Sequence, residues 1–164
     1  MKESMPKVAF QTFLEKFPEV ELPVTLGEHT HHVFSTHNDA LPELMVLQHI
    51  QRLEPHLADE YTEFVPCFRI AGIKDFHAIV YWKAGLMNYQ YVLATLTKKG
   101  ELIDRRVIAG TFSDGKVITR SVATIDVDWG IYIMSGQVEG SSEQYDPDAS
   151  RALELELFPD GRIG

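Results

Sequence analysis

Four histidines, His29, His31, His32 and His37, fall within nine residues, flanked by Glu28 and Asp39. Neutral imidazole nitrogens are common metal ligands, and a metal site needs several of them converging. Read as a short strand over 29–34, the segment points His29 and His31 to one side, because successive side chains alternate. With a third ligand from His32, His37 or elsewhere, that pair would hold Zn²⁺ or Ni²⁺. No HExxH and no paired-cysteine spacing accompanies it. The competing reading is a solvated polar segment.

Asp126 and Asp128 form the second candidate group. Two residues apart on a strand, their carboxylates would be neighbours on one face, an arrangement that serves acid–base work or holds a cation. A solvated sheet face gives the same pattern. Glu154 and Glu156 repeat it. Glu143, Asp146 and Asp148 make an acidic loop, but without EF-hand spacing. Among the aromatic residues, Tyr89 and Tyr91 share a face of one strand, and Tyr132 could stand near them on another. With Asp126 and Asp128 they form the candidate ligand-binding set. Aromatic pairs of this kind also arise as plain cross-strand packing.

Other chemistries lack their residues. There is no GxSxG around any serine, and neither GxGxxG nor GxxxxGK[ST] occurs. No cofactor is therefore expected. Cys67 is the single cysteine, so no disulfide can form within one chain. Its neighbours Phe64, Val65, Phe68 and Ile70 predict a buried, inert thiol, since apolar burial disfavours the thiolate.

The formal net charge of −9 opposes a phosphate backbone or an anionic bilayer, so neither nucleic acid nor membrane is the expected partner. No run nears the ~20 apolar residues that span a bilayer, and the first residues carry no long apolar stretch. A cytoplasmic location is the expectation. At 164 residues, with 45% hydrophobic and 24% charged, the chain suits a soluble globular domain that needs no disulfide or metal staple.

Those candidate groups must be carried by the following elements. Val8 to Phe17 has helical spacing of Phe10, Phe13, Leu14 and Phe17, stopped by Pro18. Val20 to Thr25 reads as an extended arm. A second helix should start near Asn38 or Asp39 as cap, with Pro42 in its first turn and Leu44, Leu47 and Ile50 on its apolar side. His56 to Tyr61 adds one helical turn. From residue 63 onward, strands are expected over 63–71, 76–83, 89–97, 101–109, 116–127, 131–138 and 153–158. Lys98-Lys99-Gly100-Glu101 and Ser113-Asp114-Gly115-Lys116 are hairpin signals, the latter read as a type I′ turn. Short turns join only antiparallel neighbours. The fold expected is α+β and mainly β: a single domain over 1–164, in which a helical and arm segment (1–62) packs on a twisted antiparallel meander of six or seven strands (63–164). Phe76–Trp82 is apolar on both sides and should be covered on both. Ile125–Trp129 and Leu153–Leu157 should each keep a wet acidic face.

The arm Phe17-Pro18-Glu19-Val20-Glu21-Leu22-Pro23 and the closing LELELFPDGRI resemble a group of small uncharacterised bacterial proteins with an N-terminal FPxhxLP arm, h being apolar, followed by antiparallel strands. The resemblance implies a partial propeller-like or single twisted sheet. It implies no catalytic residues. Many members of that group look like exported lipoproteins, and this N-terminus lacks that signal.

These residues favour a non-catalytic binding or protein-interaction module that uses a sheet face to hold a protein or a small molecule. The alternatives are a metal-dependent protein or enzyme built on His29–His37 with Asp126 and Asp128, and an assembly protein pairing through edge strands, for example as a homodimer.

Overall fold

The computed structural model describes residues 6–56, 59–139 and 146–164, with side chains described in all of these except 138, 139 and 146–149. Among the described residues, nine strands form one sheet: β1 (Glu19–Val20), β2 (Val24–Leu26), β3 (Glu63–Ile70), β4 (His77–Gly85), β5 (Asn88–Leu96), β6 (Leu102–Ser113), β7 (Val117–Ile125), β8 (Gly130–Glu139) and β9 (Asp146–Glu156). Strands β3 to β9 run as an antiparallel meander in chain order. The arm supplies the two strands beyond the seven expected. β1 pairs parallel with β3, and β2 pairs antiparallel with β7.

The hairpins form where the sequence puts them, with different turn chemistry. Only the glycines of the two expected turns, Gly100 and Gly115, take positive φ, so the second turn is not type I′. The Asp114 carboxylate instead accepts from the Lys116 and Val117 amides, both at 2.8 Å, and stabilises the bend as an Asx turn. β4 and β5 close through a two-residue loop, Leu86-Met87, in which Met87 adopts φ 59°.

The sheet curls because of its bulges. β6 gains an extra residue, Ile108, between its pairings to Tyr91 and Val92. Beside it Gly110 sits at φ +148°, and a Cβ there would lie 2.0 Å from the Tyr89 carbonyl oxygen. A side chain at 110 is therefore incompatible with this bend. Past the bend, β6 pairs with β7 only from Gly110 to Ser113, and β2 takes over the rest of that edge of β7. The other half of β6, with β5 beside it, is tied to the C-terminal tail: Asp104 of β6 accepts from the Ile163 amide (2.8 Å), and buried Thr95 of β5 donates to the Gly161 carbonyl (2.6 Å).

Curling brings the inner faces of β3–β5 and β7–β9 into one apolar cluster, with Phe68, Val80 and Leu93 packed together with Ile125, Ile131 and Leu155. The outer face of β4 and β5, formed by Ile79, Tyr81, Val92 and Ala94, is covered by the N-terminal elements. β4 is thus buried on both sides, as its sequence predicts. The cover comprises α1 (Phe10–Glu15) and α3 (Glu43–Met45), which continues through a π-helical turn (Val46–Ile50) and a 3₁₀ turn (Gln51–Leu53). Phe13, Leu14, Phe17, Met45, Ile50 and Leu53 are its buried side chains. Leu47 is exposed, contrary to the helical reading. Met45, His49, Ile50 and Leu53 face inward instead, so the buried stripe runs beside the expected Leu44–Leu47–Ile50 row.

Asn38 does not cap this helix. Pro42 occupies the N-cap position, and the Asn38 amide donates to the Pro66 and Cys67 carbonyls, at 2.7 and 2.9 Å. Cys67 is the bulged residue of β3, and this bond satisfies carbonyls on the sheet edge there. The acidic loop expected around Glu143 falls at 140–145, outside the described residues. Asp146 and Asp148 belong to β9 rather than to a loop. The turn expected over His56–Tyr61 lies partly outside the described residues.

Candidate functional site

The histidine segment is not a strand. Thr30–His37 form a helix, α2, set against β3. Its start is tied locally: the Gly27 amide donates to Thr30 Oγ1 (2.8 Å). Phe34 anchors it by packing on Phe68. Helical spacing separates the expected strand pair. His29 stacks with His32 at 6.0 Å, whereas His31 lies flat on Trp82, ring centroids 4.3 Å apart and planes 5° from parallel. His37 Nδ1 bonds the Val33 carbonyl. Burial, with the neighbouring His32, holds the His31 imidazole below its ordinary pKa. Among the described residues, no three or more His, Cys, Asp or Glu side chains converge on a metal position.

Tyr89 and Tyr91 do share the inner face of β5. Tyr91 is buried and donates its hydroxyl to the Gly27 carbonyl (3.2 Å); burial raises its phenol pKa strongly. Tyr89 remains partly exposed and stacks against Trp82 at 5.8 Å. Tyr132 does not join them. Its strand neighbours Ile131 and Ile133 point into the core, so alternation sends Tyr132 to the outer face of β8.

Asp126 and Asp128 are not on a strand face either. β7 ends at Ile125, and both lie in the turn to β8, closed by the Asp126 amide donating to the Gly130 carbonyl (2.8 Å). Asp128 Oδ1 accepts from the Gly130 amide. Trp129 in this turn has φ 67° and packs edge-on against Phe76. The turn still brings Asp128 beside Tyr132. With Glu154 and Glu156 of β9 they line an open concavity of about 390 Å³. The Tyr132 phenol pKa is raised, chiefly by the Asp128 carboxylate.

Next to that concavity, the register aligns Val122, Met134 and Ala152 across β7, β8 and β9. Val122 and Met134 are large apolar side chains left exposed, and Ala152 is exposed too. The outer face of β7–β9 therefore carries an apolar row and a tyrosine, bordered by acids.

Sequence reasoning missed Glu54. Its side chain is 0% exposed and accepts from Arg105, with Lys83 Nζ at 3.5 Å and the Tyr81 hydroxyl at 3.4 Å. Burial, then the Glu54 charge, pushes the Tyr81 phenol pKa up. Tyr81 and Lys83 share one face of β4, but Glu54 and Arg105 come from segments far away in the chain, and no local spacing announces the cluster. Compared with family models, curated proteins and solved structures, the chain matches none at a significant level.

Proposed function

We propose that this protein is a non-catalytic binding module that works through the outer face of β7–β9, and that its partner is an extended basic segment with alternating apolar residues. The single observation carrying this reading is the exposed cross-strand row Val122–Met134–Ala152 beside Tyr132. On a half-solvated antiparallel sheet, outward positions are normally polar. Here they keep apolar and aromatic surface of the kind that anchors partners. Asp128, Glu154 and Glu156 border the row, so charge complementarity selects a cationic partner and disfavours an anionic one. An extended segment presents side chains on one face at every second residue, which suits a row of this kind.

The test is selection of a displayed random peptide library on the wild-type protein, followed by affinity measurement against two variants. The reading expects enriched sequences that mix Lys or Arg with Leu or Phe. It expects Met134→Lys to weaken them by about tenfold or more, a loss of ~1.4 kcal/mol, while the equally conservative surface change Leu102→Lys leaves binding intact. Peptides without basic residues, or equal binding to both variants, would sink it.

A second reading, self-assembly, rests on the edge of β9. Among the described residues, the C-terminal tail covers that edge only at Glu156 and Leu157, through Gly164 and Ile163. A concentration-dependent dimer in light scattering, abolished by Leu153→Pro, would favour it.

A further inference from the structure

We propose that the seam between β6 and β2 binds a small free α-amino acid with an aliphatic side chain, of the valine, leucine and isoleucine class. Along one edge of β7, the ladder to β6 ends at Ser121 and the ladder to β2 begins at Ala123. Val122 falls between them. A cavity of about 90 Å³ opens there. Its walls include Trp82 and Tyr91, both buried, and Gly110 at the bend of β6. Arg120 and Glu28 also line it, and both are half-exposed, which puts them at the mouth.

Size and charge together define the ligand. An apolar cavity of roughly 150 Å³ admits the six carbons of benzene, so one of about 90 Å³ admits three or four carbons. The aromatic walls favour an apolar group of that size. At the mouth, a guanidinium and a carboxylate stand side by side. Their own contact, 3.6 Å from Arg120 Nε to Glu28 Oε1, is too long for a hydrogen bond, and an exposed pair of this kind is worth little. Parting them therefore costs little. Arg120 can then take a carboxylate in its planar fork, and Glu28 can take an ammonium. A ligand carrying both charges on one carbon, with a short branched tail, satisfies the mouth and the cavity together. A simple fatty acid would leave its carboxylate beside Glu28, and a simple amine would leave its ammonium beside Arg120.

Val122 belongs both to this cavity and to the apolar row, but Met134, Tyr132 and the bordering acids do not line the cavity, so Met134→Lys separates the two readings: it should weaken the basic peptide and leave leucine binding unchanged. The experiment is calorimetric titration of the full chain with L-leucine, L-isoleucine, L-valine, L-phenylalanine, isovalerate and isoamylamine, with the Trp82 indole N–H followed by NMR. The three aliphatic amino acids are expected to bind saturably and to shift Trp82 while leaving Trp129 in place. Isovalerate and isoamylamine should each bind about fivefold more weakly than leucine, as should leucine to Arg120→Gln or Glu28→Gln, the upper size of one exposed charge contact, and phenylalanine should bind at least as weakly because its benzyl group exceeds the cavity. Both variants alter half-exposed side chains, and a thermal melt alongside checks that each still folds. No saturable binding of the aliphatic amino acids at millimolar concentration overturns the proposal. So does isovalerate, isoamylamine or phenylalanine binding as tightly as leucine, or leucine binding unchanged in the variants.

Discussion

Replacing Glu54 with glutamine keeps the shape of the side chain and removes its charge. In the parent, that carboxylate is wholly excluded from solvent and faces two cations, Arg105 and Lys83, whose side chains are 17% and 26% exposed. The variant leaves both cations packed under the N-terminal layer without a counter-charge. Breaking a buried pair by removing one partner costs about 3–5 kcal/mol. Lys83 and Arg105 keep some contact with water, so the low end, about 3 kcal/mol, applies here. For a domain of this length, each kcal/mol moves the midpoint by roughly 2–4 °C, so Glu54→Gln should melt about 6–12 °C below the parent. Urea unfolding followed by circular dichroism gives the free energy directly. The triple change Glu54→Leu, Lys83→Met, Arg105→Met should recover most of the loss, because an apolar replacement leaves no orphaned charge. A Glu54→Gln variant within about 1 kcal/mol of the parent would refute the reasoning, since that is the worth of a solvated surface pair.

Stability should fall as pH drops from 7 towards 5. His31 and His77 are both held below their ordinary pKa, chiefly by burial, so the unfolded chain takes up protons before the folded one. The double variant His31→Gln, His77→Gln should flatten that slope in thermal melts; an unchanged slope would assign it elsewhere. At lower pH, stability should fall again as Asp114 and Asp160 protonate, because hydrogen bonds from the Val117 and Arg162 amides hold each carboxyl below its ordinary value. Cys67 is buried, with its thiol pKa pushed well up, so iodoacetamide at pH 8 should label it only in denaturant. Gly110→Ala should cost more than about 2 kcal/mol, because the new Cβ meets the Tyr89 carbonyl, and a near-neutral result would disprove the bend described for β6.

Strands and hairpins were legible because alternation and turn glycines are local signals. The two-sided apolar pattern of Phe76–Trp82 correctly announced a doubly covered strand. Long-range geometry was not legible. The helix of residues 30–37 leaves no signal in the sequence, because a histidine-rich polar segment has no clear period and its anchor, Phe34 on Phe68, is a tertiary contact. Asp126 and Asp128 continue the alternation of β7, yet the chain turns at Ile125, where Trp129 folds back onto Phe76. Leu47 shares helical spacing with Leu44 and Ile50, yet the buried stripe starts at Met45, and that rotation about the helix axis is set by packing on β4 and β5. Of the candidate binding residues, Tyr132 and Asp128 meet on the outer face, while Tyr89 and Tyr91 serve the inner one. That division follows from strand parity relative to the core: Ile131 and Ile133 point inward, which a sequence alternating isoleucine with tyrosine and methionine does not declare by itself.

The central claim, that the outer face of β7–β9 is the binding surface, is tested most directly by methyl NMR on methionine. Met134 lies in the apolar row at 55% exposure, and Met87, in the β4–β5 loop, is matched at 56%. Adding the selected basic peptide should shift and broaden the Met134 methyl signal and leave the Met87 signal unmoved. A shift at Met87 with Met134 unchanged would contradict the account.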